Sequence, residues 1–453
     1  MENLLAARAQ MGTSLAFHIV FSLFGVGLPL FLCIAEGLAL KTKNPTWLLL
    51  ARRWSKAAAV LFAIGAVSGT IISFELSLLW PTYTKFAGAV VGLPFLLEGF
   101  AFFIEAIFLG LYLYGWQKLS PRVHWLCSFP VWISGLLSAW FIVSANSWMN
   151  TPAGFVIRNG KVVDINPWQA IFNPSMPYET LHQLLACYVV TSLGIAAVYA
   201  VALLRGNRTD YCRKGLFLAL LIGLIATPLQ LFSGDLIARS LAQDQPVKFA
   251  AMEGDLHTQT GTPLRVGGIV DPQTGQVYYA LELPYGESLL VYGNINGTLR
   301  GLDAFAKQDW PDAIPAIHLA FDAMVGCGVF TLLVVCWFWL LFWRRKQRAF
   351  NQKWVLRGVA LAGPLTVIAT ICGWMVTEMG RQPWVITGFL RTRDAVTPAP
   401  WVSVSFVVFV LTYILLSFAL IRLLRGLARQ PLPEAPSLEE TYHIDLEEES
   451  AGV

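Results

Sequence analysis

Nine stretches of almost uninterrupted apolar residues decide what this chain can become. Each runs for about twenty residues or slightly more, the length at which a helix crosses the hydrocarbon core of a bilayer. They lie near 16–40, 55–79, 92–115, 125–148, 181–204, 215–237, 316–343, 357–377 and 401–424. Backbone groups in lipid must find partners within the protein, which leaves helices or closed barrels, and these runs lack the alternation of barrel strands. The expected fold is all-α: a polytopic bundle of nine transmembrane helices. Charged residues make up only 13% of the chain, against roughly 25% in soluble domains. That composition excludes a pair of soluble domains and a chain disordered over most of its length, and no nucleic-acid partner is expected.

An odd number of spans puts the termini on opposite sides, so the 32 Lys and Arg residues can orient the bundle. One family of loops holds 20 of them, among them Lys41, Lys43, Arg52, Arg53 and Lys56 after the first span, and the other side holds 12. Basic loops stay in the cytoplasm, so the N-terminus is expected in the periplasm and the C-terminus in the cytoplasm. The opening MENLLAARAQMGTSLAF runs into the first span without a cleavage pattern, and the first helix is expected to be retained. Residues 1–237 then carry helices 1–6 and residues 315–425 carry helices 7–9. Residues 238–314 form an outer loop between helices 6 and 7, in which DPQTGQVYY reads as a β-turn between short strands. The tail, 426–453, is acidic and is expected to be a disordered cytoplasmic extension. The seven cysteines form no CxxC or CxxCH, which argues against a zinc site and covalently attached haem.

Ionisable groups at membrane depth cost several kcal/mol unless they are paired or perform a task. His18, Glu98, Glu105, His182 and Glu378 stand out on this ground. Read alone, His18 serves equally as a core histidine or as a ligand, and His182 as an interfacial histidine exposed to water. Glu98 and Glu105, seven residues apart, point to one side of a helix about 10 Å from each other, as a proton relay or as a pair held by a neighbouring helix. Met324 alone is ordinary packing. Together, a His and a Met from facing helices can hold a six-coordinate, electron-transfer haem of b type. Glu378 lies in GWMVTEMGRQPWVITG, where Arg381 neutralises the acid and Trp374 and Trp384 suit an aromatic belt.

GRQPW at 380–384 preceded by GWxxxE at 373–378, with EGFAFFIE at 98–105 and FxxMVG at 321–326, resembles subunit I of the cytochrome bd-type quinol oxidases. The resemblance runs to about residue 425. It implies that His182 and Met324 are the axial ligands of a low-spin haem b, that His18 and Glu378 are proximal ligands of two high-spin haems, and that Glu98 is an acid or ligand at that dihaem centre. One high-spin group would be haem b and the other haem d or a second haem b. Glu105 corresponds to the deeper acid on the proton route, Trp374 to the aromatic between the haems, and Arg381 to a residue beside them. Residues 1–237 would hold the high-spin site and part of the low-spin site. Lys248 and Glu253 in QPVKFAAME match the quinol-oxidising residues, and an ammonium beside a proton-accepting carboxylate suits that chemistry.

The implied activity is oxidation of ubiquinol or a similar quinol on the outer face and reduction of O2 to water, with charge separated without a pump. The implied setting is the bacterial cytoplasmic (inner) membrane, with a second multi-span subunit II and a small single-helix subunit as partners. The chain departs from the family in two ways. Its loop is short, like the branch often described as cyanide-insensitive, and Asp322 stands where many relatives carry Arg. From residues alone, the rival reading is a proton-coupled transporter using Glu98, Glu105 and Glu378.

Overall fold

The computed structural model describes residues 2–430; the remainder of the acidic tail lies outside the described residues. Among them, nine helices are long and apolar enough to cross a membrane. They are α1 (Asn3–Thr42), α2 (Pro45–Leu79), α3 (Pro81–Tyr114), α4 (Pro121–Asn150), α6 (Met176–Leu204), α7 (Asp210–Asp244), α10 (Ile314–Arg345), α11 (Lys353–Gly380) and α13 (Val402–Arg429). Four short helices fall between them: α5 (Pro167–Ile171), α8 (Pro246–Glu253), α9 (Gly286–Tyr292) and α12 (Thr392–Ala395).

Each helix covers its apolar run to within one residue, and most overshoot it. Hydropathy registers only the part in hydrocarbon, whereas helical hydrogen bonding continues through the polar turns beyond. Thus α1 begins at Asn3 rather than near 16, and α7 carries on to Asp244, so the long connection is 245–313 rather than 238–314. The starts have local causes. Pro45, Pro81 and Pro121 open their helices at positions where a missing N–H costs nothing. Asn44 Oδ1 caps α2 by accepting from the Thr46 N–H at 3.0 Å.

Chain neighbours pack as antiparallel hairpins, α1 with α2, α3 with α4, α6 with α7 and α10 with α11, while α6 also meets α1, α4 and α11. Apolar surface gains little by leaving lipid for another helix, so close approach depends on small residues. A Cβ on Gly363 of α11 would stand 2.6 Å from Ala197 Cβ of α6, and one on Gly223 of α7 would stand 3.2 Å from Ser192 Oγ of α6. Side chains such as Phe74, Phe103, Ile107 and Leu415 point outward, as lipid-facing residues do.

The connection between α7 and α10 is packed rather than loose. Phe249, Ala250 and Met252 of α8, with Leu256, Val270 and Leu302, form one buried cluster with Leu241 of α7, Ile317 of α10 and Val376 of α11. The expected hairpin is present: β1 (Ile269–Asp271) pairs antiparallel with β2 (Gln276–Tyr278). Asp271 Oδ1 accepts from the Gln273 N–H at 2.9 Å, and Gly275 takes the positive φ that closes the turn.

Candidate functional site

Two serines decide what each intramembrane histidine can do. Ser68 Oγ of α2 donates to Ile64 O at 2.9 Å and stands 3.0 Å from His18 Nδ1. On the other side of the ring Ser22 Oγ stands 2.9 Å from His18 Nε2 and donates to His18 O at 3.2 Å, so each ring nitrogen of His18 faces a serine hydroxyl. His182 repeats the arrangement. Ser233 Oγ of α7 donates to Gln230 O at 2.9 Å and stands 2.9 Å from His182 Nδ1, while Gln230 Nε2 stands 3.0 Å from His182 Nε2 and 3.3 Å from Nδ1. A serine hydroxyl at Nδ1 is the kind of neighbour that orients a metal-binding histidine.

Glycines face these side chains from the neighbouring helix. A Cβ on Gly69 would stand 3.0 Å from His18 Cε1, one on Gly234 would stand 3.5 Å from His182 Cε1, and one on Gly373 would stand 3.0 Å from Met324 Sδ. His182 and Met324 touch different neighbours, on α7 and α11 respectively. Both acids of α3 turn to α4: Ser138 Oγ donates to Glu98 Oε1 at 3.1 Å, and buried Glu105 lies against Gly135. Trp374 packs on Leu23 and Val26 of α1 and Cys187 and Val190 of α6.

The end of α11 joins a polar network that the sequence reading only half anticipated. Arg381 Nη2 donates to Glu378 Oε2 at 2.5 Å and Nη1 to Asn150 Oδ1 at 3.3 Å; Asn146 Nδ2 donates to Glu378 Oε1 at 2.7 Å. Lys248 Nζ donates to the same Asn150 Oδ1 at 2.9 Å, and Asn150 Nδ2 donates to Glu179 Oε1 at 2.9 Å. Asn150 therefore links a buried Lys, a buried Arg and a buried Glu. The missed members, Asn146, Asn150 and Glu179, carried a readable signal, since two Asn in SANSWMN close an apolar span and Glu179 sits one turn before His182.

Lys248 and Glu253 do not stand side by side. Five residues along α8 turn the two side chains about 140° apart. Lys248 joins Asn150 and feels Glu179, whereas Glu253 feels Asp255, Asp322 and Arg265. Burial lowers the Lys248 ammonium to about 8 against the opposing pull of Glu179. Burial, helped by the carboxylates of Asp255 and Asp322, pushes Glu253 up to about 8. Asp322, in turn, stands 3.3 Å from His318 Nε2, while His318 Nδ1 lies 2.8 Å from Met252 O.

This arrangement can place metal ligands inside the bilayer, beside carboxylates and below a buried Lys–Asn–Arg–Glu network. Residues 6–432 match the family model described as cytochrome bd terminal oxidase subunit I. A protein of Bacillus subtilis (strain 168), provisionally named cytochrome bd menaquinol oxidase subunit I, is 37% identical, covering 94% of this chain and 96% of its own. The cytochrome bd ubiquinol oxidase subunit 1 of the same organism is 31% identical, covering 98% and 99%. The solved bd oxidase from Geobacillus thermodenitrificans superposes with a TM-score of 0.90 at 37% identity, covering 95% of this chain and 99% of that one. The chain belongs to the cytochrome bd terminal oxidase subunit I family.

Proposed function

We propose that this chain is the quinol-oxidising, oxygen-reducing subunit of a bacterial inner-membrane terminal oxidase. The observation that carries the reading is the pair of imidazoles, His18 and His182, each oriented within a membrane-spanning helix by a serine at Nδ1. The donor set fits haem: His182 and Met324 would hold a low-spin haem b, and His18 and Glu378 would hold two high-spin haems, one of b type and one of d or b type, with Glu98 beside them. Bound there, the haems supply stepwise electron transfer and the iron at which O2 is reduced. The rival transporter reading has no support from the family.

The protein residues bind, orient and move protons. The basic loops orient 245–313 to the outer side, where Lys248 and Glu253 approach the quinol from different faces of α8. Lys248, fixed by Asn150, orients an oxygen of the quinol; Glu253 takes a hydroxyl proton, which leaves to the outer aqueous phase. Arg381 holds Glu378, and Trp374 fills the space between α1, α6 and α11. Glu105 passes protons drawn from the cytoplasm towards Glu98. Proton release on one side and uptake on the other separates charge without a pump. The partners are a subunit II and a small single-helix subunit. Relatives carry menaquinol or ubiquinol in their names, and a quinol of either class suits the site.

A pH profile of quinol-driven O2 consumption tests the outer site. Glu253 must be ionised to accept a proton and Lys248 charged to orient the quinol, so kcat/KM rises towards pH 8 on the acid side and falls beyond it. Glu253→Gln lowers the rate and abolishes the acid limb. An acid limb that survives that substitution removes Glu253 from proton transfer.

A further inference from the structure

Three ionisable side chains that the mechanism above leaves unused lie buried together at the end of the bundle assigned to the cytoplasm by its basic loops. Glu36 of α1, Tyr112 of α3 and His124 of α4 are each 0% exposed. Their hydrogen bonds fix a proton count. Tyr112 Oη donates to Glu36 Oε2 at 2.6 Å. His124 Nε2 lies 2.8 Å from Tyr112 O, and a carbonyl only accepts, so Nε2 carries a hydrogen. His124 Nδ1 then meets Glu36 Oε1 at 2.7 Å. Two hydrogens would collide in that space, and none would set lone pair against lone pair. Glu36 and His124 therefore share one proton.

The position of the pair gives that proton a destination. Tyr112 continues the seven-residue spacing of Glu98 and Glu105, so all three stand on one face of α3, successive members about 10 Å apart. A purely structural tie between α1, α3 and α4 has no need of an ionisable pair, which costs more to bury than apolar side chains of similar size. Cys33 of α1 and Cys127 of α4 also lie near Glu36. The Trp116 ring lies tilted at 37° against the imidazole with centroids 4.0 Å apart, and Arg52 of α2 lies 5.1 Å from the Trp116 centroid.

We propose that Glu36 and His124, linked through the Tyr112 hydroxyl, form the proton-loading station from which Glu105 is reprotonated; the inference rests on the proton-route reading of Glu105. In the transfer, Tyr112 gives up its O–H hydrogen through water to the Glu105 carboxylate and takes the shared proton from Glu36. Loss of the shared proton leaves the Glu36 carboxylate against the bare Nδ1 of His124, a repulsive contact that draws in one proton from the cytoplasm. No electrons move.

The test uses the complete oxidase in vesicles, with a pH dye on the cytoplasmic face of the enzyme, during reoxidation of the reduced enzyme by O2. Glu36→Gln and Tyr112→Phe are expected to slow proton uptake about tenfold or more and to raise the solvent deuterium isotope effect, with the haem spectrum unchanged. Tyr112→Phe keeps the ring packing, so it decides the matter if Glu36→Gln fails to assemble. Wild-type uptake in both variants, with Glu105→Leu slow, overturns the loading station and leaves the Glu105 reading standing. Wild-type uptake in Glu105→Leu as well overturns both.

Discussion

Replacing His182 by Ala is expected to remove the low-spin haem signal from the absorption spectrum of the purified oxidase. Met324 would contribute only a weak thioether donor, and the described hydrogen-bond partners of the imidazole, Ser233 and Gln230, supply no second nitrogen ligand of the imidazole type. The loss should be selective, because His18 and Glu378 are held by separate partners, Ser68 on α2 and Asn146 on α4. Ser233→Ala separates ligation from orientation. It leaves Nε2 in place but frees the tautomer, an effect of about 10–100-fold on metal affinity in other histidine sites. A low-spin spectrum retained in His182→Ala contradicts the assignment.

Arg381→Met should be the most damaging single change at the end of α11. The Arg381 side chain is 3% exposed and its partner Glu378 27% exposed. Removing the guanidinium strands the Glu378 carboxylate with Asn146 alone and takes one donor from Asn150. Breaking a buried pair from one side typically costs about 3–5 kcal/mol, enough to lower the thermal unfolding temperature in detergent and to release the haem proposed at Glu378. Arg381→Lys should rescue only partly, because an ammonium cannot span Glu378 and Asn150 as the planar fork does. Unfolding at the wild-type temperature in Arg381→Met would show that the pair holds nothing together.

How far these features can be read in advance depends on whether one helix or several produce them. Apolar runs belong to single segments, so the nine helices are legible from sequence, while their polar overshoots, as in Asn3–Gln10 of α1, are not. The turn in DPQTGQVYY is equally local. Ligand candidates such as His18 and Glu98 stand out because an ionisable group in an apolar run is costly wherever it packs. What stays hidden is convergence. Asn150 of α4 joins Lys248 of α8, Arg381 at the end of α11 and Glu179 of α6, and no spacing in any one helix announces it. Lys248 and Glu253 suggest a pair because they are close in sequence, yet α8 turns them to different neighbours. Glu36 and His124 look unremarkable near helix ends until α1, α3 and α4 close around them.

All of the chemistry above depends on iron porphyrin held by side chains of this chain within the membrane. The most direct test is the haem content of the purified, assembled oxidase, read as the ratio of haem absorption to protein. A low-spin haem and two high-spin haems per copy of this subunit is the predicted result. A correctly folded complex without haem absorption would contradict it.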